Sequence, residues 1–283
     1  MFTNWTFDPA VVLGLVVAGA LYVRADRRVR GRRGDRFPRT RRPQFLGGLL
    51  VIFLALESPI DSGSATSFTV HMVQHLLLTM IAAPLLVLGA PVTLALLASS
   101  PRNRRRLSWA LHHQPLRTLS NPLIAWALFF GALWGTHLTS FFEASLRSDN
   151  LHALEHLAYV ATAVLFWMPI VGRDPAPSGL AHPARILYLF LAMASMAFLG
   201  LVLFSSNHPL YATYAATAGE AKALADQRLG GALMWVGGMV NIVPALALVM
   251  LDWMRVDERA ARRADARLLR MNILSDAPGG PAV

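Results

Sequence analysis

Along this chain the apolar positions do not alternate with polar ones. They run together for about 20 residues at a time, and they do so seven times, near 7–23, 44–60, 68–90, 122–142, 150–171, 184–205 and 228–251. A run of that length, coiled at about 1.5 Å per residue, crosses about 30 Å of hydrocarbon. The first two runs are short and lean on flanking residues. The third is expected to break at Gly89-Ala90-Pro91, leaving 92–120 along the cytoplasmic interface with Trp109 as an anchor. Pro84 and Pro169 are expected to kink their helices, because each frees a carbonyl four residues earlier. The pattern predicts an all-α fold, an integral membrane bundle of seven transmembrane helices. It forms one unit over 1–255, followed by a basic, partly disordered cytoplasmic tail over 256–283, with Pro278-Gly279-Gly280-Pro281 at its end.

Composition agrees. Of 283 residues, 55% are hydrophobic and 15% charged, which excludes a soluble globular enzyme and a disordered or fibrous chain. The absence of Cys excludes disulfides, thiolate metal sites and iron–sulfur clusters. The net charge of +10 is less informative than its placement. With alternating spans, 23 of the 26 Lys and Arg fall on one side, and only Arg147, Lys222 and Arg228 on the other. The positive-inside rule then puts the N-terminus outside and the C-terminus in the cytoplasm, as an odd number of spans requires. The partner expected for the basic runs is the lipid bilayer with its anionic headgroups, not nucleic acid. Residues 1–8 carry no Lys or Arg, so the first run is expected to be a permanent helix and not a cleaved signal.

The histidines sort by side. His112, His113 and His182 are expected in the cytoplasm, whereas His71, His75, His137, His152, His156 and His208 all fall at the outer ends of spans. His71/His75 and His152/His156 are both i,i+4 pairs, so each pair shares one helix face. Two imidazoles so spaced grip one metal ion at about 2.0–2.1 Å per bond, and ionisable groups in spanning segments are functional by default. These four are the expected metal ligands, with His137 next. Glu57, Asp61, Glu155 and Asp226 lie near the same level and are candidates to receive the second ring N–H. Glu155 and Asp226 are further taken as alternate ligands, and Asp226 as the N-cap of the seventh helix. His152-Ala153-Leu154-Glu155-His156 also matches the His-x-x-Glu-His string of inverted zinc proteases.

Three stretches together resemble a known family. They are His71-Met72-Val73-Gln74-His75-Leu76 with Ala83-Pro84, Leu151-His152-Ala153-Leu154-Glu155-His156-Leu157 with Trp167-Met168-Pro169, and Asp226-Gln227-Arg228-Leu229-Gly230-Gly231 with Met234-Trp235. The chain is similar over roughly residues 10 to 255 to the multi-span cytochrome c oxidase assembly factor CtaG family, associated with caa-type oxidases. That family is distinct from the single-span, Cys-bearing copper chaperone of the same name. The resemblance implies a non-enzymatic protein of the bacterial inner (plasma) membrane, needed for oxidase maturation and acting in copper supply. Its partners would be cytochrome c oxidase subunits or a copper chaperone. The expected cofactor is copper, with zinc or haem as alternatives. The rival functions are a haem-binding electron-transfer protein, a zinc-dependent membrane protease and a copper transporter.

Overall fold

A computed structural model of the chain describes residues 4–33, 37–171, 174 and 180–275. It is helical throughout, with no strand among the described residues, as the long apolar runs predict. The Pro278-Gly279-Gly280-Pro281 segment lies outside the described residues. Among the described residues, five helical stretches are long and apolar enough to cross a membrane: Pro9–Gly31, Phe68–Ala98, Asp149–Val171, His182–Ser205 and Glu220–Leu268. The runs expected at 44–60 and 122–142 form helices of 17 and 16 residues, shorter than these five.

In chain order the helices are α1 (Pro9–Arg33), α2 (Arg41–Glu57), α3 (Pro59–Ser64), α4 (Phe68–Leu76), α5 (Ala83–Leu88), α6 (Pro91–Ala98) and α7 (Pro101–His112). There follow α8 (Gln114–Leu119), α9 (Pro122–His137), α10 (Ser140–Ser145), α11 (Asp149–Val171), α12 (His182–Ser205), α13 (Ala212–Ala218) and α14 (Glu220–Ser275). Local chemistry sets many of their ends. Ser58, Ser67, Ser100 and Asn121 each accept a hydrogen bond from an early amide of α3, α4, α7 and α9. Pro follows the cap directly in α3, α7 and α9, where its missing N–H costs nothing. The fourth run is shorter than its hydropathy predicts because α9 stops at His137 and Thr139 caps a new helix, α10. The seventh begins earlier, at Glu220, and continues unbroken into the basic residues as far as Ser275.

The expected break at Gly89-Ala90-Pro91 is present. Ala90 takes the left-handed conformation (φ 49°) and Pro91 opens α6. Near Pro84 the backbone widens into a π-helical turn, Leu77–Ala82, that joins α4 to α5. The carbonyls loosened there find partners on neighbouring helices. Asn241 of α14 donates to the Met80 carbonyl, and Trp167 Nε1 of α11 donates to that of Thr79 at 3.0 Å.

The outer surface carries Leu13, Leu123, Leu157, Phe190, Val236 and Leu248 exposed, and the largely apolar interior also encloses polar side chains such as His71, Gln74 and Glu155. The main core joins α4, α5, α9, α11, α12 and α14, and a smaller one pairs α1 with α6 through Tyr22, Val29 and Leu94. The broadest contact is between α12 and α14. It depends on two glycines. A Cβ on Gly200 would stand 2.6 Å from the Gly231 carbonyl, and one on Gly231 would stand 2.8 Å from the Gly200 carbonyl. Backbone meets backbone there, so no side chain can yield.

Gly200→Ala is therefore expected to destabilise the protein by about 1–3 kcal/mol, the range for overpacking. Gly14→Ala, where a Cβ meets nothing within 4 Å, is expected to leave it unchanged or slightly more stable. Thermal unfolding of the two variants in detergent checks the contrast.

Candidate metal centre

The first turns of α4 and α11 start from the same end of the bundle, and each carries one His-x-x-x-His pair on its inner face. The structure brings both pairs together. His71, His75, His152 and His156 offer ring nitrogens that all lie within 4.8 Å of one another. Ring centroids are 4.3 Å apart for His71/His75, 4.1 Å for His152/His156, 5.0 Å for His71/His152 and 5.5 Å for His75/His156. His71, His75 and His156 are buried, and His152 is half-buried at the outer edge. The rings thus sit inside the protein and not in the wet interface that surrounds an ordinary helix-end histidine.

Hydrogen bonds decide which nitrogens are free. Tyr214 Oη of α13 donates to the Ser64 carbonyl at 2.8 Å, so its contact of 3.0 Å with His71 Nδ1 must be one it accepts. His71 Nδ1 therefore carries the proton, and Nε2 presents its lone pair 2.9 Å from His75 Nε2. His75 Nδ1, His152 Nε2 and His156 Nε2 are buried without a hydrogen-bond partner. Buried polar atoms are normally paired, and four imidazoles with three such open nitrogens form a group that could hold a metal ion. Nitrogens sharing an ion at about 2.0–2.1 Å stand about 3–4 Å apart, so this group needs little contraction to close on one.

The other expected site residues are placed differently. Glu155 is buried, but its carboxylate accepts from Ser145 Oγ of α10 at 2.8 Å and lies outside the four-histidine group. Asp226 is not the N-cap of the seventh helix, because α14 starts six residues earlier. Its carboxylate instead caps α4, accepting from Ser67 Oγ at 3.1 Å and Phe68 N at 2.6 Å, while its carbonyl accepts from Thr69 Oγ1 at 2.9 Å. Neither carboxylate receives a histidine N–H. Asp61 accepts from Gln74 Nε2 at 2.8 Å, and Glu57 from the Asp8 amide at 2.9 Å. His137 stands one step away, with its ring 6.2 Å from that of His75. His208 is exposed in the α12–α13 connection.

What the sequence reading missed is tyrosine. All five tyrosines are buried, and Tyr211 and Tyr214 bring α13 down over the histidines, Tyr211 Oη donating to the His137 carbonyl at 3.1 Å. Glu143 of α10 holds α13 in place by accepting from Thr213 N and Oγ1 at 3.1 and 2.6 Å. Burial raises the Glu143 pKa, but these bonds and Arg147 outweigh it and the net direction is down. The available signal was the i,i+3 pair Tyr211/Tyr214 in a loop otherwise rich in small residues.

Because Asp226 supplies the charge at the start of α4, Asp226→Ala is expected to cost about 0.5–2 kcal/mol, as the loss of a cap does. Asp226→Asn, which keeps one acceptor oxygen, is expected to cost less. Melting curves of the two variants in detergent give the comparison.

The chain is 32% identical over 93% of its length to an uncharacterized protein of Mycobacterium leprae. It is 30% identical over 94% of its length to uncharacterized proteins of Mycobacterium bovis and Mycobacterium tuberculosis. It spans about two fifths of the length of these curated relatives (41–42%). No solved structure matches it. The family model described as cytochrome c oxidase caa3 assembly factor matches residues 20–256, a range that holds the four clustered histidines and His137. It is a family of assembly factors, not of enzymes. With most of its length matched, this chain belongs to the cytochrome c oxidase caa3 assembly factor family.

Proposed function

We propose that this chain binds copper at His71, His75, His152 and His156 and supports maturation of the copper centre of a terminal oxidase. The observation that carries the reading is the convergence of four imidazoles from two helices, three of them with unpartnered buried nitrogens. Copper accepts imidazole readily and leads the usual divalent order. It would be cargo here, held for an oxidase subunit or received from a copper chaperone. A haem held by two histidines needs them on opposite faces of a flat macrocycle, whereas these rings pack directly against one another. A zinc protease needs a carboxylate beside the metal-bound water, and Glu155 is turned to Ser145 instead.

The same proposal takes the chain as seven spans in a bacterial inner (plasma) membrane, with the N-terminus outside and the C-terminus in the cytoplasm. α2 and α9, at about 25 Å each, would be the two further spans. Support comes from the ends of the bundle. Among the described residues, the Arg-rich end holds α7, α8 and the far part of α14, and the Lys and Arg at the histidine end are Arg147, Lys222 and Arg228.

Two measurements test this. In the Cys-free chain, Thr66→Cys is expected to react with a membrane-impermeant maleimide from outside, and Arg104→Cys only after permeabilisation; the reverse pattern would invert the site's location. Replacing His71 and His75 together with Gln is expected to lower bound copper at least tenfold. Copper in the parent is expected to bind more tightly than zinc, and to weaken between about pH 7 and pH 5 as protons compete for the same nitrogens. Equal copper content in parent and double variant would remove these ligands from the proposal.

A further inference from the structure

The proton count around His137 leaves one contact that hydrogen bonding does not explain. Thr136 Oγ1 donates to the Leu133 carbonyl at 3.1 Å and shares a short contact with the Tyr159 hydroxyl. Both hydroxyls lie farther from His137 Nδ1, at 3.1 and 3.2 Å, than that carbonyl does. His137 Nδ1 lies 2.8 Å from the Leu133 carbonyl, which can only accept, so Nδ1 carries the ring proton. His137 Nε2 then has a bare lone pair, and it faces Met72 Sδ at 3.4 Å. A thioether has no proton to give. Two electron-pair donors thus face each other in the interior, at residues 3% and 0% exposed.

We propose that Met72 Sδ and His137 Nε2 form a second metal subsite, softer than the four-histidine group and suited to Cu(I). Thioether sulfur with imidazole is a donor pair that favours Cu(I) over zinc or the hard divalent cations. Met72 is carried by the same turn of α4 as His71 and His75, about 100° round the helix, so it points away from them and toward α9. The two subsites lie side by side, the His75 and His137 rings being 6.2 Å apart. Copper could therefore rest on either without leaving the buried end of the bundle. This subsite extends the copper reading above but stands on different ligands.

The test is X-ray absorption at the copper edge on the full chain in detergent, loaded with Cu(I) under a competing chelator. With no Cys in the sequence, any copper–sulfur shell must come from methionine. A sulfur shell at about 2.3 Å, the usual metal–sulfur bond length, is expected in the parent and in the His71→Gln/His75→Gln variant. It is expected to vanish in Met72→Leu, a swap that conserves volume. If Met72→Leu does not fold, the sulfur shell is expected to be lost instead in His137→Gln, which removes the other donor of the subsite. A parent with nitrogen scatterers alone, or a sulfur shell that survives in folded Met72→Leu, overturns the subsite. A parent with the sulfur shell but unaltered copper content in the double-histidine variant overturns the four-histidine reading and leaves this one standing.

Discussion

The first turn of α4 depends on one carboxylate. A helix leaves its early amides without internal partners, and in an apolar medium each costs several kcal/mol if nothing accepts from it. Asp226 reaches across from α14 to accept from Phe68 N and Ser67 Oγ, and its own carbonyl ties down Thr69 Oγ1. Because His71, Met72 and His75 follow within two turns, this cap sets where three candidate ligands sit. The negative charge at a helix N-terminus is also favourable on its own account. The third family-like stretch, which begins at Asp226, thus acts on the first one by capping its helix.

Below that cap the same helix is deliberately irregular. Pro84 cannot donate to the Met80 carbonyl, and the chain answers with a π-helical turn over Leu77–Ala82. Asn241 and Trp167 then bind the loosened carbonyls, which ties α4 and α5 to α14 and α11. π-helical turns recur at functional sites, and this one lies directly beneath His75. On the far side, α12 is free to approach α14 because Gly200 and Gly231 allow backbone contact. Glycine, asparagine and proline thus adjust how closely these helices approach within the apolar core that packs them together.

The tyrosines complete the enclosure. Tyr214 takes the His71 proton and passes its own to Ser64, leaving Nε2 open toward His75. At His137 the Leu133 carbonyl takes the ring proton, and the open nitrogen faces sulfur instead. A ligating histidine commonly hands its second proton to a carboxylate or carbonyl; in this protein a hydroxyl and a backbone carbonyl serve, and Glu155 and Asp226 are used to hold α10 and α4.

By itself the sequence determined the all-helical class, the apolar spans and the break at Gly89-Ala90-Pro91. It also determined that both His-x-x-x-His pairs belong to one end of the molecule. Those follow from length, hydropathy and i,i+4 spacing, which are local properties. It could not show that Asp226 caps a helix some 160 residues earlier in the chain, since capping across helices leaves no mark on local spacing. It ranked His137 after the other four but could not pair it with Met72, because that depends on how α9 is rotated against α4. The tyrosine partners were hidden for the same reason. A hydroxyl fixes a tautomer only at about 3 Å, and only tertiary packing brings α13 that close.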